Sequence, residues 1–394
     1  MALPLTYHWR SLFVRRSTTL LTLLVVAAVV GVFAWMLSFA SAMRTSVARA
    51  SDTRKLIVLK RGATAEGNSA IYPDEFNRLS QLTDVALDPA TGAPLLAPEM
   101  VCQVSLPRLR DRAKTPANVA VRGVTDAAFR VHPSVKVTGR VFSKGEREVI
   151  VGVAAAKQFA GLALGDAVNL GYGSNRGFRV VGLFTADGGP MESEIWGYLP
   201  SVMDAYNRRM YSSASLRLRP DADPQAVIAK IEGPAIQLTA QTEAQYWRGQ
   251  TKLIRIYLMI AYVLVAVMCV AAVFSIANTM FSAVAGRTRE IAMLRTIGFS
   301  CRQIVFGFLL EAVLLALLGA AVGCAACAAW LAFVGNKKDI FGATTFTTMA
   351  FEIRVTPAIV GVALLSAAFV GLIGAAVPAV RAGRTRVVTA LREA

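Results

Sequence analysis

Four separated apolar runs, each long enough to cross a hydrocarbon layer as a helix, limit what this chain can fold into more than any other feature. A spanning helix needs about 20 mainly apolar residues, and residues 18–40, 256–282, 304–334 and 356–380 each reach that length. The chain is 55% hydrophobic with mean hydropathy +0.50. That apolar content is gathered into the four runs and not spread at the spacing of a soluble core. A polar stretch of roughly 210 residues lies between the first run and the second, room for one or two folded units outside the bilayer. The pattern predicts an α-helical membrane protein with four transmembrane helices plus a large mixed α+β extracytoplasmic domain between helices 1 and 2. The segments are a cytoplasmic amphipathic N-terminus (1–17), the first span (18–40), the extracytoplasmic domain (41–255) and the second span (256–282). There follow a cytoplasmic segment (283–303), the third span (304–334), an extracytoplasmic loop (335–355), the fourth span (356–380) and a cytoplasmic tail (381–394).

Lys and Arg near the membrane ends set the orientation, because cytoplasmic flanks carry their excess. One face would hold Arg10, Arg15, Arg16, Arg287, Arg289, Arg295, Arg302, Arg381, Arg384, Arg386 and Arg392 against only Glu290 and Glu393. The short loop opposite holds Lys337, Lys338 and Arg354 against Asp339 and Glu352, near balance. Both termini are therefore expected in the cytoplasm and the large domain outside it. The formal charge of +17 would suit nucleic acid in a soluble protein. Here it is divided between short membrane flanks and an outer domain with 28 Lys and Arg against 20 Asp and Glu, so nucleic acid is not an expected partner and membrane lipid is.

Five cysteines are an odd count, and Cys102 is the only one in the outer domain, so that domain is expected to form no internal disulfide. Cys324 and Cys327 make a C-x-x-C inside an apolar run, with Cys269 and Cys301 in or beside other runs. No second pair completes a four-ligand zinc set, and no metal is expected. Arg15-Arg16, an apolar run and Ala40-Ser41-Ala42 also fit a twin-arginine signal with a cleavage site. The run is longer than the usual signal core, which favours a retained helix and a mature chain starting near Met1. Ahead of it, Trp9, Leu12 and Phe13 interleave with Arg10, Arg15 and Arg16 as in a short interfacial helix.

Within the outer stretch, residues 56–59, 119–121, 148–151, 167–170, 178–184 and 215–218 are rich in β-branched residues and bounded by Gly, Pro or Asp, as strands are. Residues 73–82, 154–159 and 224–232 read as helices, two of them opened by proline. His132 is the domain's only histidine, and no G-x-S-x-G, H-E-x-x-H or Cys/His pairing accompanies it, so catalysis is not expected. Arg108, Arg110, Arg112 and Lys114 at every second position would share one face of an extended segment, a stripe suited to anionic headgroups or to a guarded sheet edge.

After the second run comes Gly286-Arg287-Thr288-Arg289-Glu290-Ile291-Ala292-Met293-Leu294-Arg295-Thr296-Ile297-Gly298-Phe299, then Glu311 and the pair Gly319 and Gly323. This resembles the R-x-R-E-I-x-x-L-R-x-x-G signature of FtsX-like permeases of the MacB and LolC/LolE class, followed by an intramembrane Glu and a small-residue helix. Pro378-Ala379-Val380-Arg381-Ala382-Gly383 leading to Ala390-Leu391-Arg392 is similar to that family's ending. Val149-Ile150-Val151-Gly152, Gly161-Leu162-Ala163-Leu164-Gly165-Asp166 and Phe178-Arg179-Val180-Val181-Gly182 are similar to its extracytoplasmic core domain. The resemblance implies the permease subunit of an ABC transporter in a bacterial inner membrane. It further implies a separate ABC ATPase holding ATP and Mg, a second permease copy in a homo- or heterodimer, and a periplasmic adaptor as a further partner.

Physical chemistry supports part of that role independently. In a helix, Ile291, Leu294 and Ile297 or Gly298 share an apolar face, with Arg287, Arg289, Glu290 and Arg295 around it, as in helices that dock in a groove of another protein. In the family this segment contacts the ATPase. Glu311 sits about two turns into the third span, where an ionisable group is costly and needs a partner; Arg302 and Asn278 are the candidates. Gly319 and Gly323 permit close helix approach. The chain has no G-x-x-x-x-G-K-[ST], so the nucleotide is expected on another polypeptide. ATP hydrolysis would drive export or extraction of a hydrophobic or amphipathic molecule. The alternatives are mechanical control of an extracytoplasmic partner such as a cell-wall hydrolase, a membrane ligand sensor, and a membrane-embedded enzyme.

Overall fold

A computed structural model describes residues 16–49, 54–109, 116–172, 177–250, 252–335 and 353–384. The interfacial N-terminus, the loop lysines, the tail beyond Arg384 and three residues of the 108–114 stripe fall outside them. The described residues divide into two compact units, one lying within 43–253 and the other made of the remaining helical segments.

Helix α1 (Arg16–Arg49) leads into the outer unit in sequence. That unit carries β1 (Lys55–Lys60), α2 (Pro73–Leu79), β2 (Leu96–Pro107), β3 (Pro116–Val124), α3 (Asp126–Val131), β4 (Val135–Gly139) and β5 (Glu148–Gly152). It continues through α4 (Val153–Gln158), β6 (Ala167–Asn169), β7 (Gly177–Ala186), β8 (Glu194–Tyr198), α5 (Leu199–Ala205), β9 (Ser213–Arg217), α6 (Pro224–Glu232), β10 (Leu238–Thr242) and α7 (Glu243–Gln250). The ten strands form one sheet in the order β10-β1-β9-β2-β3-β8-β5-β7-β4, with β6 on β7. This is the mixed α+β domain expected between the first and second spans. Strands β2, β4, β8 and β10 and helices α3, α5 and α7 add to what the sequence pattern marked.

Strand β2 joins two lobes. Its residues 96–99 pair antiparallel with β9, and residues 100–107 pair antiparallel with β3. The first lobe packs Leu56, Val58, Leu216 and Leu238 of its strands against Leu79, Val227 and Ile231 of its helices. Helix α6 starts where Pro224 occupies the first turn, where a missing N–H costs nothing, and the Asp223 carboxylate accepts from the amides of Gln225 and Ala226. The second lobe contains two parallel pairs, β3 with β8 and β5 with β7. Val121, Val149, Val151, Phe178, Val180 and Ile195 fill one of its faces, and Trp196, Phe184 and Ile150 the other. Cys102 is buried there as a free thiol.

The chain then enters α8 (Lys252–Ala285), the short α9 (Thr288–Thr296), α10 (Cys301–Gly335) and α11 (Pro357–Gly383). Among the described residues, four stretches have the length and apolar character of membrane spans: Thr19–Ala42, Leu258–Ala285, Cys301–Phe333 and Pro357–Gly383. Their packing uses small residues, since lipid already solvates apolar side chains and association depends on close contact. Ala312, Ala316 and Ala320 of α10 and Ala363, Ala375 and Ala379 of α11 are fully buried in one cluster. Gly319 and Gly323 of α10 lie against α1: a Cβ on Gly319 would sit 2.9 Å from the Val26 Cβ, and one on Gly323 would sit 3.0 Å from the Gly31 nitrogen and closer still to the Ala27 carbonyl oxygen. The Thr22 and Thr279 hydroxyls hydrogen-bond between α1 and α8.

Candidate functional site

The segment between α8 and α10 is an amphipathic helix with a built stop. Its last turn closes with the Phe299 amide donating to the Leu294 carbonyl (3.1 Å) and the Gly298 amide to the Arg295 carbonyl (3.2 Å). That is the paired ending in which the residue after the cap takes a positive φ, and Gly298 has φ +106° with open space where a Cβ would stand. Gly298 is therefore required by backbone conformation and not by a contact of its own.

Two links fasten α9 to the long helices. The Arg287 guanidinium pairs with the Glu311 carboxylate at 3.3 Å, and Glu311 is only 4% exposed. The expected partners differ from this: Asn278 lies on the exposed side of α8, and neither it nor Arg302 reaches the carboxylate. The geometric reason is that Arg302 lies nine residues before Glu311 on the same helix, about 13 Å along the axis, whereas the turn after α8 brings Arg287 alongside. At its other end, Arg295 donates to the Gly383 carbonyl (3.1 Å), which also accepts from the Cys301 thiol (2.9 Å).

These links decide which side of α9 is free. Ile291 and Ala292 are buried in the helix cluster and Leu294 is half-buried. Ile291, expected on one apolar face with Leu294 and Ile297, has its side chain packed in the helix cluster of its own unit. The exposed apolar pair is Met293 (55%) and Ile297 (71%), four residues apart and so neighbours on one face, flanked by exposed Arg289 and Glu290. Among the described residues, no three His, Cys, Asp or Glu side chains are placed to hold a metal ion.

The outer domain contains a buried ionic cluster that the linear pattern did not reveal. Arg122 on β3 spends all five guanidinium N–H groups on carboxylates. Nε and Nη2 donate to both oxygens of Glu194 (2.7 and 2.8 Å), Nη1 and Nη2 to both of Glu66 (2.7 and 3.0 Å), and Nη1 also to Glu99 (2.5 Å). The other Glu99 oxygen meets His132 Nε2 at 2.7 Å, the His132 Nδ1 meets the Lys55 ammonium, and Lys55 donates to Glu243 at 2.8 Å. Trp196 donates to Glu194 (2.8 Å) and Ser213 to Glu66 (2.6 Å). None of the seven ionisable residues is more than 6% exposed. Burial works against ionising Glu99, but His132, Arg122 and Lys55 outweigh it and hold its carboxyl well below the usual range. Neighbouring carboxylates likewise hold Arg122 firmly charged against its own desolvation. One signal was available in the sequence: Arg122 interrupts Val119-Ala120-Val121-Arg122-Gly123-Val124, and a charge inside an apolar strand needs a buried partner.

Comparison with known proteins accords with this architecture. The family model described as MacB-like periplasmic core domain matches residues 18–233, and that described as FtsX-like permease C-terminal matches residues 262–387. The macrolide export ATP-binding/permease protein MacB of Bdellovibrio bacteriovorus is 25% identical over 343 residues, 79% of this chain and 51% of that protein. The chain thus spans about half the length of that relative. An uncharacterized ABC transporter permease of Bacillus subtilis, YvrN, is 36% identical over 115 residues, 29% of this chain and 25% of that one. The crystal structure of the periplasmic region of MacB from Actinobacillus actinomycetemcomitans covers 52% of this chain and 95% of its own, with TM-score 0.37 and 13% identity. The chain belongs to the FtsX-like, MacB-type family of ABC transporter permeases.

Proposed function

We propose that this chain is the permease subunit of an ABC transporter of the bacterial inner membrane, with both termini cytoplasmic, driven by a separate ABC ATPase that docks on α9. The observation that carries the reading is the division of that helix. Its inner side is buried, its outer side shows Met293 and Ile297 between Arg289 and Glu290, and Arg287 and Arg295 tie its two ends to α10 and α11. A push on the outer side is then borne by the long helices and not absorbed by a loop. ATP and Mg belong to the partner, and a second permease copy completes the assembly.

The interior between α10 and α11 is filled by fully buried alanines, which favours mechanical coupling over a solute path through one subunit. The work done is export or extraction of a hydrophobic or amphipathic molecule on the extracytoplasmic side, with a periplasmic adaptor as a candidate receiver. The same observation supports a second reading, mechanical activation of an extracytoplasmic partner such as a cell-wall hydrolase.

The test is ATP turnover by the cognate ATPase reconstituted with this chain. Met293→Asp and Ile297→Asp each place a charge in the docking surface, a loss of about 2–4 kcal/mol if that surface is desolvated on binding. Permease-dependent turnover should fall at least tenfold while membrane insertion is unchanged. Full turnover by both inserted variants would reduce α9 to a basic membrane flank.

A further inference from the structure

Asn278 of α8 is a polar side chain left without a partner inside an apolar stretch. It is exposed, and it lies seven residues before the helix ends at Ala285, about 10 Å along the axis from that end. Several other polar groups in these stretches are provided for within the unit. Ser38 and Ser366 donate to the carbonyls of Ala34 and Val362 on their own helices (both 2.8 Å), Thr279 pairs with Thr22, and Glu311 with Arg287. Among the described residues none meets the Asn278 amide. That amide has two N–H donors and an accepting oxygen, and hydrocarbon satisfies neither. Asparagine is also too short to lift its amide to the headgroups, as lysine and arginine do.

The amide continues a stripe. Ile260, Val263, Val267, Val270 and Phe274 are exposed and lie, with Asn278, within about 80° of one another on a helix of 3.6 residues per turn. On the other side Val265, Ala272, Ile276 and Met280 are buried, and α8 is the least buried of the four spanning stretches described. Steps of three and four residues are what one helix offers to a second packed along it. An apolar face alone is what lipid covers, and α11 shows such a face at Val362, Leu365 and Phe369. The amide separates the two faces. Lipid tails give it nothing, so its partner must carry a donor and an acceptor at the same depth. A two-fold axis supplies that partner, because it sets one patch against its own copy. An amide is complementary to itself, each N–H donating to the other's oxygen.

We propose that the outer stripe of α8 is where a second copy of this chain packs, with the two Asn278 amides hydrogen-bonded to each other across the two-fold axis. This rests on the reading of the chain as a permease that works in pairs, and it names the surface that pairs it. The valines and Ile260 are stiff at χ1, so they lose little freedom when a partner covers them. The amides set the register, as a single asparagine does in the seam of a coiled coil. Sliding one helix along the other by a turn would return both amides to hydrocarbon.

Two measurements on the full chain test it. In the first, membranes holding Val267→Cys, Phe274→Cys or, as a lipid-facing reference, Leu365→Cys are oxidised with iodine, and the native chain with its own five cysteines gives the baseline. The two stripe variants should form a disulfide-linked dimer of this chain well above baseline, and Leu365→Cys should not. A dimer from Leu365→Cys as strong as that from Phe274→Cys, links from the stripe to a different protein only, or no links from it would each overturn the surface. In the second, energy transfer between donor- and acceptor-labelled chains in liposomes follows association as protein is diluted in lipid. Asn278→Leu should weaken association by about three- to thirtyfold, the span expected of side-chain hydrogen bonds between helices in lipid. Asn278→Gln keeps the amide and should lie nearer the native chain. Association of Asn278→Leu equal to that of the native chain would overturn the amide pair. Failure here is distinct from failure of the paired permease: energy transfer without links at 267 and 274 overturns this surface alone, whereas no transfer in the native chain overturns the pairing itself.

Discussion

Substituting Gly323 tests whether the membrane helices are held by backbone approach. A Cβ there would meet the Gly31 nitrogen at 3.0 Å and the Ala27 carbonyl carbon at 3.2 Å, with the carbonyl oxygen nearer still. All of these are backbone atoms of α1, so no side-chain rotation relieves the contact. Since carbon contacts are favourable near about 3.5–4.0 Å, α1 and α10 would have to part by several tenths of an ångström or more. Overpacking of this kind costs about 1–3 kcal/mol, while alanine in place of glycine within a helix returns about 1 kcal/mol. Gly323→Ala should therefore lose up to about 2 kcal/mol. Gly361→Ala, where a Cβ meets nothing within 4 Å, should gain up to about 1 kcal/mol by the same propensity. Gly319→Ala should fall between them, because its nearest obstacles are the Cβ and Cγ1 of the Val26 side chain. Helix content followed by circular dichroism during titration of the detergent-solubilised chain with dodecyl sulfate ranks the three. If Gly323→Ala matched Gly361→Ala, the close approach of α1 to α10 would be refuted.

Other consequences follow from the polar contacts. Arg287→Met removes the Arg287 end of the buried pair with Glu311, a loss of up to about 3–5 kcal/mol for a buried pair; adding Glu311→Gln should recover much of it, as the same dodecyl sulfate titration would show. The Glu148 carboxyl is drawn down to about 2, chiefly by its hydrogen bonds to Arg140, with the Ser143 amide helping against partial burial. A folded value below the unfolded one contributes stability that is fully present above the ordinary glutamate range and lost as pH falls toward about 2. The wild type should therefore be more stable than the double variant Arg140→Ala with Glu148→Gln at neutral pH, and denaturant midpoints of the two should converge as pH falls from the ordinary glutamate range toward about 2. Because Cys102 is a free buried thiol and the outer domain's only cysteine, reductant should leave the melting temperature of that domain unchanged.

The spans and the short central helix were legible because an unbroken apolar run and an arginine-flanked amphipathic stretch are signals along one dimension. The strands at 56–59, 148–151 and 178–184 were legible for the same reason, being β-branched runs bounded by turn residues. What escaped depends on pairing across the fold. Residues 73–82 read as one helix, but α2 ends at Leu79 and Ser80 caps it. Ile291 and Ile297 look alike in an amphipathic pattern, and only the tethers through Arg287 and Arg295 turn the first inward and leave the second outside. Glu66, Glu99 and Glu194 are scattered along the chain and meet at Arg122, which sits on β3 beside β2 and β8, while His132 joins through Glu99 and Glu243 through Lys55.

Engagement of an ATPase at α9 can be read from a photo-crosslinking amino acid placed at Ile297 in cells, with one at the exposed Tyr172 of the outer domain as reference. Position 297 should give an adduct with a chain carrying G-x-x-x-x-G-K-[ST], and position 172 should give no such adduct. Adducts from 297 with lipid alone, or the same ATPase captured equally from 172, would contradict it.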